Sequence, residues 1–487
     1  MAKKHGIFIY EEATALTAPK EASQALVVIG CAPVNMVDEP IVNTPVLALS
    51  AREAMQNLGY SKDFASYGLC AAMNITANLY PVAPVVYINV LDPAVHKKAL
   101  PETTVAVSDL QAVVKSEGIL KTGLVVKYTQ TAEGESTDVT AEVGTDYTLE
   151  FDSDGYLVVT LISGRPIAES ASIKVSGCQL DPSAVTKDTI IGSVNVNTGA
   201  ETGMEVIRQI YPKLGIVSGI LCAPYWSQVP EVGIALSAKA ANINGVFKAM
   251  AFVDVDTTLA KKYTDVKTVK ENSGFTSEFT VPCWPQVQVG ETRYPYSIVA
   301  AARTIYQDAD NGDIPSRSPS NITLTITGTC LSDGTEIPLD QDQATTVGEY
   351  GVMTAVNLNG FKMWGNHTGA YPSSGDAKDI WISVRRMFNW QGNTFILTYF
   401  DQVDDPMDPR LIENIVDSEN IRCGAYAPDY WAGASIEYLE ADNPETDILA
   451  GRITFRQHIA PYTPAETINN ILNYDTGLVR AALLGGE

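Results

Sequence analysis

Histidine, basic charge, cysteine pairs and long apolar runs are all scarce in this chain of 487 residues. Its four histidines, His5, His96, His367 and His458, lie far apart. No HExxH, GxSxG, GxGxxG or phosphate-loop pattern occurs, so zinc-protease, serine-hydrolase, dinucleotide and P-loop chemistry have no sequence support. The seven cysteines are scattered, with no CxxC and no histidine nearby. They read as buried free thiols rather than metal ligands or disulfides, which implies a reducing compartment at synthesis. Lys and Arg total 33 against 57 Asp and Glu, a net charge of -24. That balance argues against nucleic acid or an anionic membrane surface as a partner. No run approaches the roughly 18 apolar residues of a membrane span, and Gly6–Tyr10 is too short for the core of a signal peptide. Synthesis in a cytoplasm, without signal-peptide export or membrane insertion, is the expectation.

What is present is the length of roughly three domains and a clear α/β rhythm. Gly6, Ile7, Phe8, Ile9 and Tyr10 form a short apolar strand candidate that has no neighbouring strand of its own. Ala25–Gly30 is a continuous apolar strand. Ser50 caps a helix to Leu58, Phe64–Tyr80 is a longer helix, and Val82–Leu91 is apolar on both faces, as a covered central strand must be. From about Val105 to Thr186 the text turns Thr-, Val-, Gly- and Asp-rich with period-2 segments at Gly123–Thr129, Asp146–Phe151, Leu157–Leu161 and Ser172–Val175. This predicts an all-β module inserted into an α/β domain. The α/β pattern resumes at Asp188–Val194, and Leu214–Pro224, Glu231–Asn244 and Val246–Asp256 read as strand, helix and strand of one parallel unit.

Further on, Tyr296–Asp310, Ile380–Tyr399 and Pro409–Ile421 read as helices. Ser435–Ala441 and Arg452–Ile459 read as an antiparallel pair carrying Ile436, Tyr438, Ile453, Phe455 and Gln457. Pro461 and Pro464 then break the ladder, Ala465–Asn473 is expected to be a short helix, and Leu478–Leu484 an apolar strand. The expected divisions are an N-terminal arm (1–20), an α/β core (21–104 and 187–345), the β insertion (105–186), an α+β C-terminal domain (346–474) and a C-terminal arm (475–487), with no extra domain after it.

Three clusters invite a chemical reading. Asp254 and Asp256 at a strand end could hold a divalent metal for an α/β enzyme, against the blander reading of solvated strand-end acids. Asp401, Asp404, Asp405 and Asp408 carry carboxylates for calcium, but their spacing is not that of an EF-hand loop, and a solvated or partner-facing acidic surface is favoured. Residues 401–450 hold thirteen acids against Arg410 and Arg422. Trp364-Gly365-Asn366-His367-Thr368 mixes an aromatic, a glycine and polar groups as a catalytic loop would, but a packed turn is favoured. No catalytic constellation stands out, no cofactor is implied, and the enzyme reading stays a rival, as does adhesion through the β insertion.

Several stretches taken together resemble the contractile tail sheath proteins of phages and phage-tail-like particles. They are HGIFIYEEATALTAP, APVVYINVLDP, TGMEVIRQIYPKLGIVSGILCAPYWSQVPEVGIALSAKAANINGVFKAMAFVDVDT, FKMWGNHTGAYP and GRITFRQHIAPYTPAETINNILNYD, in the expected order from first residues to last. The resemblance implies a helical homopolymer made in a bacterial cytoplasm, wrapped around an inner tail tube and contacting baseplate and tail terminator proteins. It would shorten to drive the tube through a cell envelope without nucleotide. It further implies that Gly6–Glu11 and Leu478, Val479, Arg480 and Ala481 are arm strands given to neighbouring subunits. The Ile436/Tyr438 and Ile453/Phe455/Gln457 hairpin would receive them. Asp408, Glu413 and Asp417 would face the tube.

Overall fold

A computed structural model describes residues 20, 22, 24–132 and 135–484. The expected N-terminal arm strand, Gly6–Tyr10, lies outside these residues. The molecule is a mixed α/β protein of several sheets. The largest has six strands in the order Thr280–Cys283, Met250–Asp254, Ser218–Cys222, Ala25–Gly30, Val85–Asn89 and Pro45–Ala48. All neighbours pair in parallel except the edge strand Pro45–Ala48. The sequences ALVVIG, VVYIN, SGILC and MAFVD are buried at every position, because helices cover both faces of such a sheet. Helices Gly68–Asn78, Pro230–Ala241 and Tyr296–Ala309 pack on it. Ser50 caps the helix Ala51–Leu58 by accepting from the Glu53 amide, and Pro230 opens its helix at the first turn, where a missing N–H costs nothing. Gly233 lets that helix approach Phe275 so closely that a Cβ would lie 2.4 Å from the ring.

Between Val85–Asn89 and Ser218–Cys222 the chain leaves the large sheet and builds two small antiparallel ones. One runs Lys97–Ala106, Ser172–Leu180, Val125–Ala132, Glu135–Thr140; the other runs Gln111–Val114, Leu157–Leu161, Tyr147–Phe151. They enclose a hydrophobic cluster of their own that includes Val126, Leu157, Val159 and Ile173. The first strand starts at Lys97, eight residues before the composition changes. KKALPETTVA is an edge strand with only Leu100 buried, so it lacks the alternation that marks a half-buried strand.

The C-terminal part is organised on the helix Ile382–Tyr399. Gly392 sits within it on an exposed face, where the cost relative to alanine is only about 1 kcal/mol. A small cluster of Met387, Trp390, Cys423 and Trp431 joins this helix to Pro409–Ala425 and to the hairpin Trp431–Tyr438/Phe455–Pro461. The second helix begins at Gly68 rather than Phe64. Pro461 does not break the ladder but is its last residue, opposite Trp431. A residue at the end of a ladder needs no N–H. Ile453 lies just before the strand.

The tail departs furthest from expectation. Residues 465–473 form no helix, and 476–484 form a helix instead of a strand. Both are exposed throughout. A short apolar segment with no sheet edge beside it satisfies its backbone groups internally, and a helix is the local way to do so.

Candidate functional site

The hairpin is a two-stranded sheet packed on the helix Pro409–Ala425. Tyr438 pairs with Phe455, Ile436 with Gln457 and Ala434 with Ile459. Phe455, Gln457 and Ile459 are half-buried and point to the body, while Arg456, His458 and Ala460 are exposed. This alternation follows from the strand period of two. Ile436 is buried, and Tyr438 stacks edge-on against Phe455.

Beneath Gln457 lies a buried polar network that no sequence pattern announced. Glu419 is fully buried and accepts from Gln391 Nε2 at 2.6 Å, Gln457 Nε2 at 2.8 Å, Tyr399 Oη at 3.1 Å and the Arg422 guanidinium. Burial alone would push the Glu419 carboxyl up. Arg422, Gln391 and Gln457 outweigh it and hold the group below its ordinary range, because each donor favours the charged form. The network thus ties both C-terminal helices to the outer hairpin strand. One fold-level hint was present, since Glu419 and Arg422 stand three apart and share a helix face.

The adjacent Asn420 amide makes a second tie. Its Nδ2 donates to the Ile436 carbonyl and its Oδ1 accepts from the Ile436 amide, each at 3.0 Å.

On the outer face of the same helix, Glu413 and Asp417 are exposed one turn apart. With Asp405, Asp408 and Arg410 they line an open groove of about 590 Å³. Asp408 is the helix N-cap and accepts from the Leu411 amide at 2.9 Å, so one of its oxygens is committed to the fold. Phe400 and Val403, just before this groove, are both about two-thirds exposed.

The tail residues Leu478, Val479, Arg480 and Ala481 belong to the exposed terminal helix. Ile471 and Leu472 before them are 82% and 87% exposed. At the other end of the chain, the described residues Lys20, Ala22 and Gln24 run along Ile382–Tyr399. The Lys20 and Ala22 amides donate to Thr398 and Thr394, and Arg386 donates to the Gln24 side chain.

The metal readings do not survive the geometry. Asp254 is buried and accepts from Ser227 Oγ at 2.8 Å, the Ser297 amide at 2.8 Å and Ser297 Oγ at 2.5 Å. It holds the N-terminus of the helix Tyr296–Ala309, and burial pushes its carboxyl up against the pull of those donors. Asp256 turns into its own loop and accepts from Thr258 twice at 2.7 Å. Among the described residues no group of three or more His, Cys, Asp or Glu could hold a metal, the Asp401–Asp408 cluster included. His367 is a packed side chain, stacked between Tyr371 and Trp381 at 3.9 and 4.5 Å. Burial lowers its pKa to about 4.

No protein-family model matches the chain. It is 29% identical to the tail sheath protein of Burkholderia phage BcepMu, over 99% of this chain and 98% of that one. It is 23% identical to the major tail sheath protein of Serratia phage KSP20, over 68% and 83%. Its fold is like that of a contracted sheath of the PVC extracellular contractile injection system, with TM-score 0.56, 12% identity and 98% and 99% of the two chains covered. The contracted helical sheath of the anti-feeding prophage gives 0.54, 13%, 98% and 100%. Over its full length the chain is thus similar in sequence to a phage tail sheath protein and in fold to the sheaths of contractile injection particles.

Proposed function

We propose that this chain is the repeating subunit of a sheath that polymerises around an inner tube and contracts to push that tube through a cell envelope. In this reading each subunit gives its tail to the hairpin of a neighbour. One observation carries the joint: an apolar tail exposed from Ile468 to Leu484 coexists with a sheet that, among the described residues, has two strands and no partner strand at its edge. Each open end has what the other lacks, since strand addition supplies main-chain hydrogen bonds and buries alternate side chains. Each bond is worth a net ~0.5–1.5 kcal/mol, against roughly 1–2 kcal/mol to order each residue. Burial of Leu478, Val479, Leu483 and Leu484 must therefore supply the surplus, and repetition along a lattice multiplies it. Gly6–Glu11 would form the second arm.

The acidic groove of Asp408, Glu413 and Asp417, with Phe400 and Val403 beside it, is the surface proposed to face the tube. Exposed charge on both sides gives attachment that salt screens, suited to a contact that must release. Baseplate and terminator proteins would meet the same lattice at its ends.

The test is assembly. Full-length protein should form striated hollow tubes under negative stain, and deletion of residues 476–487 should leave a folded subunit that forms none. Tubes built by the truncated protein would sink the joint. Glu413→Lys with Asp417→Lys should abolish docking on the tube without touching subunit stability.

A further inference from the structure

The hairpin offers an incoming strand two edges, and the structure treats them differently. In an antiparallel ladder, opposite residues either exchange both main-chain hydrogen bonds or turn both pairs of groups outward. Ile436 gives its N–H and its C=O to Asn420, not to the opposite strand. It therefore points outward, and Gln457, directly opposite, points its own N–H and C=O away on the other edge. By the period of two, Phe455 and Ile459 do the same. Among the described residues, nothing accepts from or donates to those outward groups. Their side chains face the body yet stay half-exposed, whereas Ile436 on the other strand is buried. Trp431 and Ile436 are buried while Ala434 and Tyr438 are half-buried, so the cover over the sheet is fuller on the Trp431–Tyr438 side than on the Phe455–Pro461 side, where no residue is buried.

We infer that the hairpin receives the arm of a second copy of this chain at one edge only, that of Phe455–Pro461, and that Asn420 closes the other. The Asn420 amide occupies the middle pair of groups on Trp431–Tyr438 as a strand would, and the helix that carries it covers that flank. The geometry has a consequence for order. Where two arms reach one hairpin, they lie side by side on the open edge, the first against Phe455–Pro461 and the second against the first. The Gln457–Glu419 hydrogen bond is what holds the receiving strand at its post. This inference rests on the sheath reading above and specifies which residues make its joint.

Cysteine pairing in assembled tubes of the full chain decides the matter. Glu437 and Arg456 are cross-strand neighbours on the exposed face of the sheet, so Glu437→Cys and Arg456→Cys present thiols alike. A strand on the open edge lies about 5 Å from the Arg456 strand and about 10 Å from the Glu437 strand. Only the first distance is within reach of a disulfide. Each variant is combined in turn with Leu478→Cys, Val479→Cys, Arg480→Cys and Ala481→Cys, then oxidised mildly. At least one combination with Arg456→Cys should give linked dimers and longer ladders on a denaturing gel, and those with Glu437→Cys should stay several-fold weaker. Equal or stronger linkage through Glu437→Cys would overturn the one-edge inference while leaving the sheath reading intact. Well-formed tubes that link through neither position would overturn tail donation itself, and the inference with it. As a second arm, Asn420→Ala should leave Arg456→Cys linkage unchanged and raise Glu437→Cys linkage; no rise would show that Asn420 is not what closes that edge.

Discussion

The large parallel sheet and the terminal tail are similar in apolar character and opposite in outcome. Ala25–Gly30 and Ser218–Cys222 are buried at every residue, while Ile471, Leu472 and Leu478 are 82%, 87% and 70% exposed. Apolar sequence therefore does not decide burial here; the presence of a partner within the same chain does. The sheet strands find theirs far along the same chain, as Leu26 does beside Val85, 59 residues on, and Ile220, 194 residues on. The tail finds none among the described residues and coils into a helix. In the proposed sheath each subunit is half of each of its joints, and the half that leaves is the half that looks unfinished.

Substitutions should separate the two regions sharply. The largest effect is expected at the sheet. Leu221→Asp places a carboxylate in a fully buried site, which costs more than about 4–5 kcal/mol and should leave no cooperative thermal transition. Next comes Asp254→Ala. It strands Ser227 and the two Ser297 donors and removes the cap of a long helix, for a loss of about 2–4 kcal/mol in chemical denaturation.

A smaller effect follows from His367. Its folded pKa is lowered by burial to about 4, whereas the unfolded side chain titrates near 6.5. Between those values the unfolded chain binds the extra proton, so stability is highest above about pH 6.5 and declines as pH falls toward 4. The Glu466 carboxylate 3.7 Å away softens the loss, leaving about 1–2 kcal/mol. His367→Phe, which keeps the stack between Tyr371 and Trp381, should flatten that slope. The smallest effect belongs to the tail. Ile471→Ser with Leu472→Ser should change subunit stability by less than about 0.5 kcal/mol, although both are large apolar residues.

Legibility in the sequence divides along the same line. Where the partner is in the chain, the pattern was readable: Val85–Asn89 as a covered run, Ser50 as a cap, Leu157–Leu161 as an alternating strand. Lys97–Ala106 escaped because an exposed edge strand needs no apolar stripe. Glu419 escaped because a buried acid and a solvated one are the same letter, and only the three-dimensional convergence of Gln391, Arg422 and Gln457 distinguishes them. Asn420 gave no signal at all, since an asparagine on a helix face reads as surface. The run LVRAALL reads as a strand, the conformation proposed for it beside a neighbour, whereas in the single chain it is helical.

A structure of the assembled tube by electron cryomicroscopy, resolved to side chains, tests the central claim most directly. Residues 478–484 should be extended there and hydrogen-bonded, in a neighbouring subunit, to the sheet that contains Phe455–Pro461. A tail that remains helical and unpaired in a well-ordered tube would contradict it.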